Sequence, residues 1–300
     1  MVLLRMIGGL GNQMSQVAYA YILAKKRNQQ LYIDTSAYKK YKIRPCSINR
    51  MELSEDISLE NLNIHGINYL WMRMCQKTYH LFYHFLCKRK PAGEKLFLKL
   101  TRKGHYYSFD SDGYSYPDCS KENIDVYGYF QAESLYRDHK ELIRKIFSVN
   151  PDCIGSMAQR YEAAIMGSNC PVSISLRLQD DYTNNLLLNV CTREYFAESI
   201  KMILQKNPDA DFFVFADDIQ RAKEYGLPTR VTYLENLSDV EGMYLMQKCR
   251  HFIISNSSFS WWGAYLGEAS DKVVMAPDRW ANNSKDYSSK YYENVVKVKC

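Results

Sequence analysis

Four polar clusters in this sequence combine residue types and spacings suited to holding an anionic, hydroxyl-bearing substrate. The first is Ser255-Asn256-Ser257-Ser258-Phe259-Ser260-Trp261-Trp262-Gly263, which follows the apolar run His251 to Ser255. β-Branched Ile253 and Ile254 mark that run as a buried strand, and the amide and hydroxyls of Asn256, Ser257 and Ser258 then open a helix over Phe259 to Leu266. A helix start carries unpaired N–H groups and the positive end of the dipole, so a phosphate fits there. The plainer reading is an ordinary capped turn with two core tryptophans.

The second cluster is Ser175-Leu176-Arg177-Leu178-Gln179-Asp180-Asp181-Tyr182. It ends a strand over Val172 to Leu176, so Arg177 is expected near the sheet edge that carries Asn256 to Ser258. A guanidinium grips phosphate through two parallel hydrogen bonds and never loses its charge. The same residues also allow a structural ion pair of Arg177 with Asp180 or Asp181. Asp217 and Asp218 form the third cluster, after the strand Phe212 to Ala216; they suit a nucleoside base or ribose, or the cap of the next helix.

The fourth is Gly8-Gly9-Leu10-Gly11-Asn12-Gln13, between a strand over Val2 to Ile7 and a helix over Gln13 to Lys26. Leu31 to Asp34 continues it as a βαβ unit, with its glycine turn where open α/β sheets bind ligands. The glycines allow close backbone approach, and Asn12 and Gln13 offer amides for gripping hydroxyls. Met14 stands where a dinucleotide fingerprint needs its third glycine, which argues against NAD.

The elements that must position these clusters follow a regular plan. Strands over Val172–Leu176, Phe212–Ala216, Val231–Leu234, His251–Ser255 and Val273–Ala276 alternate with helices over Arg193–Lys206, Ile219–Tyr225 and Ser238–Cys249. The last of these is opened by a capping box, Ser238 with Glu241. Such alternation implies a parallel sheet with helices on both faces. The length of 300 residues holds two such α/β domains, 1–150 and 151–300, with a boundary at Asn150-Pro151. A short strand over Tyr127 to Phe130 and a helix over Glu133 to Ile146 close the first half. Residues from about 69 to 103 read as a basic helical arm, in which Arg73, Lys77, Lys88, Arg89, Lys90, Lys95, Lys99, Arg102 and Lys103 face Glu94 alone. That arm is either a solvated face or a contact with an anionic membrane.

Hydrophobic content of 46% with 24% charged residues is that of a folded soluble protein, and a net charge of +6 is too small to argue for nucleic acid. The nine cysteines show no metal or redox spacing, and their odd number suits free thiols in a reducing compartment. His80 and His84 lack the glutamate of a zinc-protease helix. With no secretory signal and no membrane-length apolar run, the expected location is cytoplasmic, with the arm allowing peripheral attachment at an inner membrane face.

Taken together, the turn Gly8–Gln13, the Arg177/Asp180 stretch, Phe215-Ala216-Asp217-Asp218 and Ser255–Gly263 resemble the α-1,2-fucosyltransferases of glycosyltransferase family 11, bacterial type. The resemblance implies two facing Rossmann-like domains of GT-B type with a cleft between them, acceptor-side first and nucleotide-sugar-binding second. It implies transfer of fucose from GDP-fucose, with inversion, to the 2-hydroxyl of a terminal β-galactoside in a glycan or glycolipid precursor. By that resemblance Arg177 holds the donor phosphates, Ser257, Ser258 and Phe259 the pyrophosphate region, with Asn256 beside them as a further donor-binding candidate, and Asn12, within the acceptor-side loop Gly9, Gly11, Asn12 and Gln13, the reacting centre. Asp180 or Asp181 is the candidate base. The family pattern His-x-Arg-Arg-x-Asp is altered, with Ser175 for the His and Leu178 for the second Arg. Metal-independent catalysis is expected, because Asp209-Ala210-Asp211 precedes a strand and Asp110-Ser111-Asp112 sits in a loop. The rival readings are a GT-B transferase using another nucleotide sugar, and a non-catalytic carbohydrate-binding or membrane-attached protein.

Overall fold

The computed structural model describes residues 1–60, 67–86 and 90–300, so Lys88 and Arg89 of the expected arm lie outside the described residues. The chain forms two compact units, Met1–Phe147 and Ser148–Cys300.

In the first unit the strands are β1 (Val2–Arg5), β2 (Leu31–Asp34), β3 (Ile57–Glu60), β4 (His105–Tyr107) and β5 (Ile124–Tyr127). They pair in the order β3-β2-β1-β5-β4, all parallel. The helices are α1 (Leu10–Lys26), α2 (Ile67–Leu86), α3 (Lys90–Thr101) and α4 (Lys140–Ile146). Because β1 has neighbours on both sides, its residues are buried, Arg5 included. Arg5 tolerates this through Nε and Nη2, which donate to the two carboxylate oxygens of Asp125 on β5 at 3.1 and 2.9 Å. Its Nη1 donates to Gln76 on α2, and the Tyr107 hydroxyl donates to Asp125. Buried charges require such pairing.

Two expectations for this unit are corrected. The strand set at Tyr127 to Phe130 is Ile124–Tyr127; Gly128 and Phe130 then take positive φ, +150° and +50°, which breaks the extended run. The helix over Glu133 to Ile146 divides into two 3₁₀ turns, Glu133–Leu135 and Arg137–His139, before α4. The basic arm comprises α2 and α3 as separate helices.

The second unit carries β6 (Pro171–Leu176), β7 (Asp211–Ala216), β8 (Val231–Tyr233), β9 (His251–Ile253), β10 (Val274–Pro277) and β11 (Val295–Val298). Its helices are α5 (Ser156–Gly167), α6 (Asp180–Thr183), α7 (Arg193–Lys206), α8 (Ile219–Tyr225), α9 (Asp239–Met246) and α10 (Ser258–Leu266). The parallel order β11-β10-β9-β6-β7-β8 reverses direction between β6 and β9. That reversal is the doubly wound arrangement, and the crevice beyond the strand ends at such a point is where this architecture receives ligands. The period-2 pattern is visible in the packing. Phe212 and Val214 join Tyr195, Phe196, Ile200 and Ile203 of α7 on one face, while Phe213 and Phe215 join Leu245 and Met246 of α9 on the other. The Ser238–Glu241 capping box opens α9, and Thr192, Asp218 and Ser257 cap α7, α8 and α10.

Among the described residues no helix is long and apolar enough to cross a membrane.

Candidate functional site

The strand pairing Ile174 with Ile253 sets the ends of β6 and β9 side by side, and the residues that follow each strand meet there. Arg177, just beyond β6, keeps a quarter of its side chain exposed, at 24%. Its Nη2 donates to Asp181 Oδ2 at 3.0 Å, and its Nε lies 3.9 Å from Asp217 Oδ2. The guanidinium sits over the Tyr182 ring, 4.9 Å from the centroid. Tyr182 is buried, and its hydroxyl donates to Asn256 Oδ1 at 2.6 Å while accepting from the Val190 and Cys191 N–H groups at 3.1 and 3.2 Å. Burial raises the Tyr182 hydroxyl pKa, so it remains a donor across the working pH range. Arg177 is thereby tied, through one aromatic ring, to the turn that opens α10.

Asn256 is itself spent on the fold. Its Nδ2 donates to the Leu188 and Trp280 carbonyls at 2.9 and 2.8 Å, and its Oδ1 accepts from the Tyr182 hydroxyl. The side chain therefore organises the turn. Ser257 caps α10, its Oγ accepting from the Phe259 N–H at 3.3 Å, and Phe259 packs against the core near Gly242. Ser258 begins α10, and the helix has no acidic residue in its first turn to compete with an incoming anion.

The carboxylates divide between different tasks. Asp180, 69% exposed, pairs with Arg221 of α8 at 2.7 Å, whereas Asp181 is the partner of Arg177. Asp217 Oδ1 accepts from the Leu178 and Gln179 N–H groups at 2.7 and 3.2 Å, and Gln179 Nε2 returns a bond to the Asp217 carbonyl at 2.8 Å. These bonds fix the loop that presents Arg177. Asp218 caps α8, accepting from the Arg221 N–H at 3.0 Å. Ser175, in the position of the family's histidine, is buried within β6.

In the first unit the glycine turn follows β1, beside β5, at that sheet's own reversal. Gly8 has φ +91°, and a Cβ there would come within 2.9 Å of Asn12 Nδ2, so the position requires glycine. Gly9 caps α1 without a side-chain bond, and Gly11 is buried in its first turn. Gln13, expected to face a ligand, is fully buried. Its Nε2 donates to the Gly8 and Pro45 carbonyls at 2.9 and 2.7 Å, and its Oε1 accepts from Ser47 and Ile48 at 2.9 and 3.0 Å. All its capacity goes into joining the turn to a later segment, which corrects that expectation. Asn12 is half-buried, and its Oδ1 accepts from Gln131 Nε2 at 2.8 Å. That bond fixes the amide with Oδ1 toward Gln131 and Nδ2 over Gly8.

Sequence reasoning missed Tyr182, Gln179 and Gln131. Tyr182 stood in the quoted stretch, but its ring contact with Arg177 follows from the turn between β6 and α6 and not from sequence spacing. Gln131 carried a weaker one, its place shortly after β5 at the edge that bears Asn12. Among the described residues no group of three or more His, Cys, Asp or Glu is placed to hold a metal ion.

Comparison with known proteins adds four findings. The model of the family described as glycosyl transferase family 11 matches residues 1–298. An Escherichia coli α-1,2-colitosyltransferase is 31% identical over 290 residues, 93% of this chain and 92% of its own length. The E. coli O-antigen biosynthesis glycosyltransferase WbnK is 28% identical over 303 residues, covering 93% and 94%. Among solved structures, the α-1,6-fucosyltransferase NodZ from Bradyrhizobium, in a crystal soaked with GDP-fucose, superposes with a TM-score of 0.54. It is 16% identical, over 88% of this chain and 91% of that one, a likeness of fold.

Proposed function

This chain belongs to glycosyl transferase family 11 and is a glycosyltransferase of GT-B type, and from that premise we propose that it moves fucose from GDP-fucose, with inversion, to the 2-hydroxyl of a terminal β-galactoside in a glycan or glycolipid precursor. The observation that carries the proposal is the coupling of Arg177, through Tyr182 and Asn256, to the start of α10. A guanidinium and a set of helix-start amides at one sheet edge suit a diphosphate that gains charge.

In this reading, fucose C1 separates from the β-phosphate oxygen and leaves a cationic sugar and a more negative nucleotide. Arg177 and the first amides of α10 stabilise that charge without reorganising. Asp217 holds the Arg177 loop, and Asp181 keeps the guanidinium in place. The acceptor hydroxyl attacks from the opposite face and gives its proton to a carboxylate, Asp180 or Asp181, or to water if the phosphate leaves early. Asn12, held by Gln131, serves the reacting sugars. The fixed positive groups take the part of a divalent cation, so the proposed chemistry is metal-independent.

A second reading has its own support. The relative at 31% identity is named for colitose, which lacks the 3-hydroxyl of fucose, so this chain would use another nucleotide-linked deoxy sugar. Incubation with GDP-fucose and other nucleotide sugars against a panel of galactosides, with products weighed by mass spectrometry, separates the two. Transfer from GDP-fucose to galactose supports the first; transfer from another donor alone overturns it.

A further inference from the structure

The side chains of α2 divide by face. Toward the sheet, Gln76 bonds Arg5, and His80 and Tyr83 lie against Phe109 with ring centroids 5.3 and 5.6 Å apart. On the outer side Trp71, Met74, Leu81, Phe82 and Phe85 are all exposed, Trp71 at 63% and Phe85 at 81%. Their spacing of three, four and seven residues sets them in one stripe. Single exposed apolar residues are ordinary, but a contiguous aromatic stripe calls for a partner. Arg73 and Lys77 are exposed beside it, and α2 contains no acidic residue. The following helix and turn add exposed Lys95, Lys99, Arg102 and Lys103 against Glu94.

We propose that α2 is an interfacial helix that lies flat on an anionic lipid bilayer, its apolar stripe among the upper acyl chains and Arg73 and Lys77 at the headgroups. Charge selects this occupant. A second copy packed α2 on α2 would bring Arg73 and Lys77 against the same cations, and α2 supplies no carboxylate to meet them, whereas anionic headgroups attract each cation by about 1 kcal/mol. Trp71 at one end of the stripe suits the headgroup boundary, where the indole has both an apolar and a wet side. The inference does not depend on which sugar is transferred.

The protein supplies its own probe. Trp261, Trp262 and Trp280 are buried, at 5%, 0% and 8% exposure, so Trp71 is the indole whose surroundings would change. The full chain, mixed with phosphatidylglycerol/phosphatidylcholine vesicles, should float with them, shift its tryptophan emission to shorter wavelength and be quenched by brominated acyl chains. Binding should be largely lost between about 0.05 and 0.5 M salt. Trp71→Phe should abolish the emission shift but retain flotation. Phe85→Glu, and Arg73→Glu with Lys77→Glu, should each lower the floated fraction at least tenfold while transfer to a soluble galactoside is unchanged. Equal flotation with pure phosphatidylcholine, absence of quenching, or a dimer in sedimentation velocity that Phe85→Glu dissolves would overturn the proposal, the last in favour of a second copy.

Discussion

Replacing Arg177 separates a phosphate clamp from a structural ion pair, because the structure assigns the two roles different magnitudes. As a structural group Arg177 has a hydrogen-bonded ion pair with Asp181, a longer one at 3.9 Å with Asp217 Oδ2, and a ring contact with Tyr182. Asp181 is 45% exposed, so solvent screens the pair to about 0.5 kcal/mol. The ring adds roughly 0.5–1 kcal/mol. With about 0.5–1 kcal/mol for the Asp217 pair, Arg177→Ala should cost about 1.5–2.5 kcal/mol of stability, a fall in Tm of roughly 3–10 °C for a protein of this size. As a donor to a developing phosphate charge, it should contribute about 2.7 kcal/mol or more, a hundredfold in turnover. Arg177→Lys keeps the charge but loses the planar fork, so it should fold normally, lose turnover by about a hundredfold and weaken GDP-fucose binding less. Ser258→Ala should be milder, since backbone amides at the start of α10 remain. Asp181→Asn is the control for the pair alone, so it should lower Tm less than Arg177→Ala does; if Arg177 is purely structural, Arg177→Ala should lower Tm without slowing transfer. The assay is melting temperature, GDP-fucose affinity and turnover on the same preparations. A folded Arg177→Ala with turnover within threefold of the parent would refute the clamp.

Asn12→Ala should lower turnover more than tenfold, about 1.4 kcal/mol, with Tm almost unchanged; Gln131→Ala should do less, and the double variant should match Asn12→Ala alone if Gln131 acts through it. Equal losses of Tm and turnover would make Asn12 a turn residue. Transfer should survive EDTA, and a loss restored by Mn²⁺ or Mg²⁺ would refute the proposed charge stabilisation. Asn256→Ala leaves the Leu188 and Trp280 carbonyls without their amide donor, so it should cost about 3 kcal/mol, roughly 6–12 °C in Tm; an unaltered melting curve counts against a structural Asn256. His251 is buried with Nδ1 accepting from Val273 N–H, and burial lowers its pKa below 6.5. Its neutral form is favoured only in the folded chain, so its contribution is complete above about pH 6.5 and is lost as pH falls. The Tm advantage of the parent over His251→Gln should therefore shrink between about pH 7.5 and 5.5, and a constant gap would contradict the assignment.

The strands that long apolar runs announce, such as β6 and β7, were legible because both faces of each are buried and little else explains such runs. β4, β11 and α5 were not legible. The first is three aromatic-rich residues, the second an edge strand in a polar tail, and the third buries only Ala158 and Ile165 of its twelve residues. Arg177 and the start of α10 could be placed together because parallel strands end at one edge. Asn256 and Gln13 could not be assigned from their type. An amide that grips a ligand and one that satisfies remote carbonyls look alike in sequence, and the partners Leu188, Trp280 and Pro45 declare themselves only through backbone geometry.

The Arg5–Asp125 pair also bears on the order in which the first unit is made. The two residues are 120 apart in the chain, yet they sit on adjacent central strands. During synthesis β1 emerges first, and its guanidinium cannot be desolvated until β5 has left the ribosome, because no earlier strand of that sheet offers Asp125. A shift of β1 by one residue would turn Arg5 to the opposite face, away from its carboxylate. Premature pairing of β1 therefore strands a charge, and only the complete sheet removes that cost. The buried pair thus favours the complete sheet over a partial one and the native register over a slipped one.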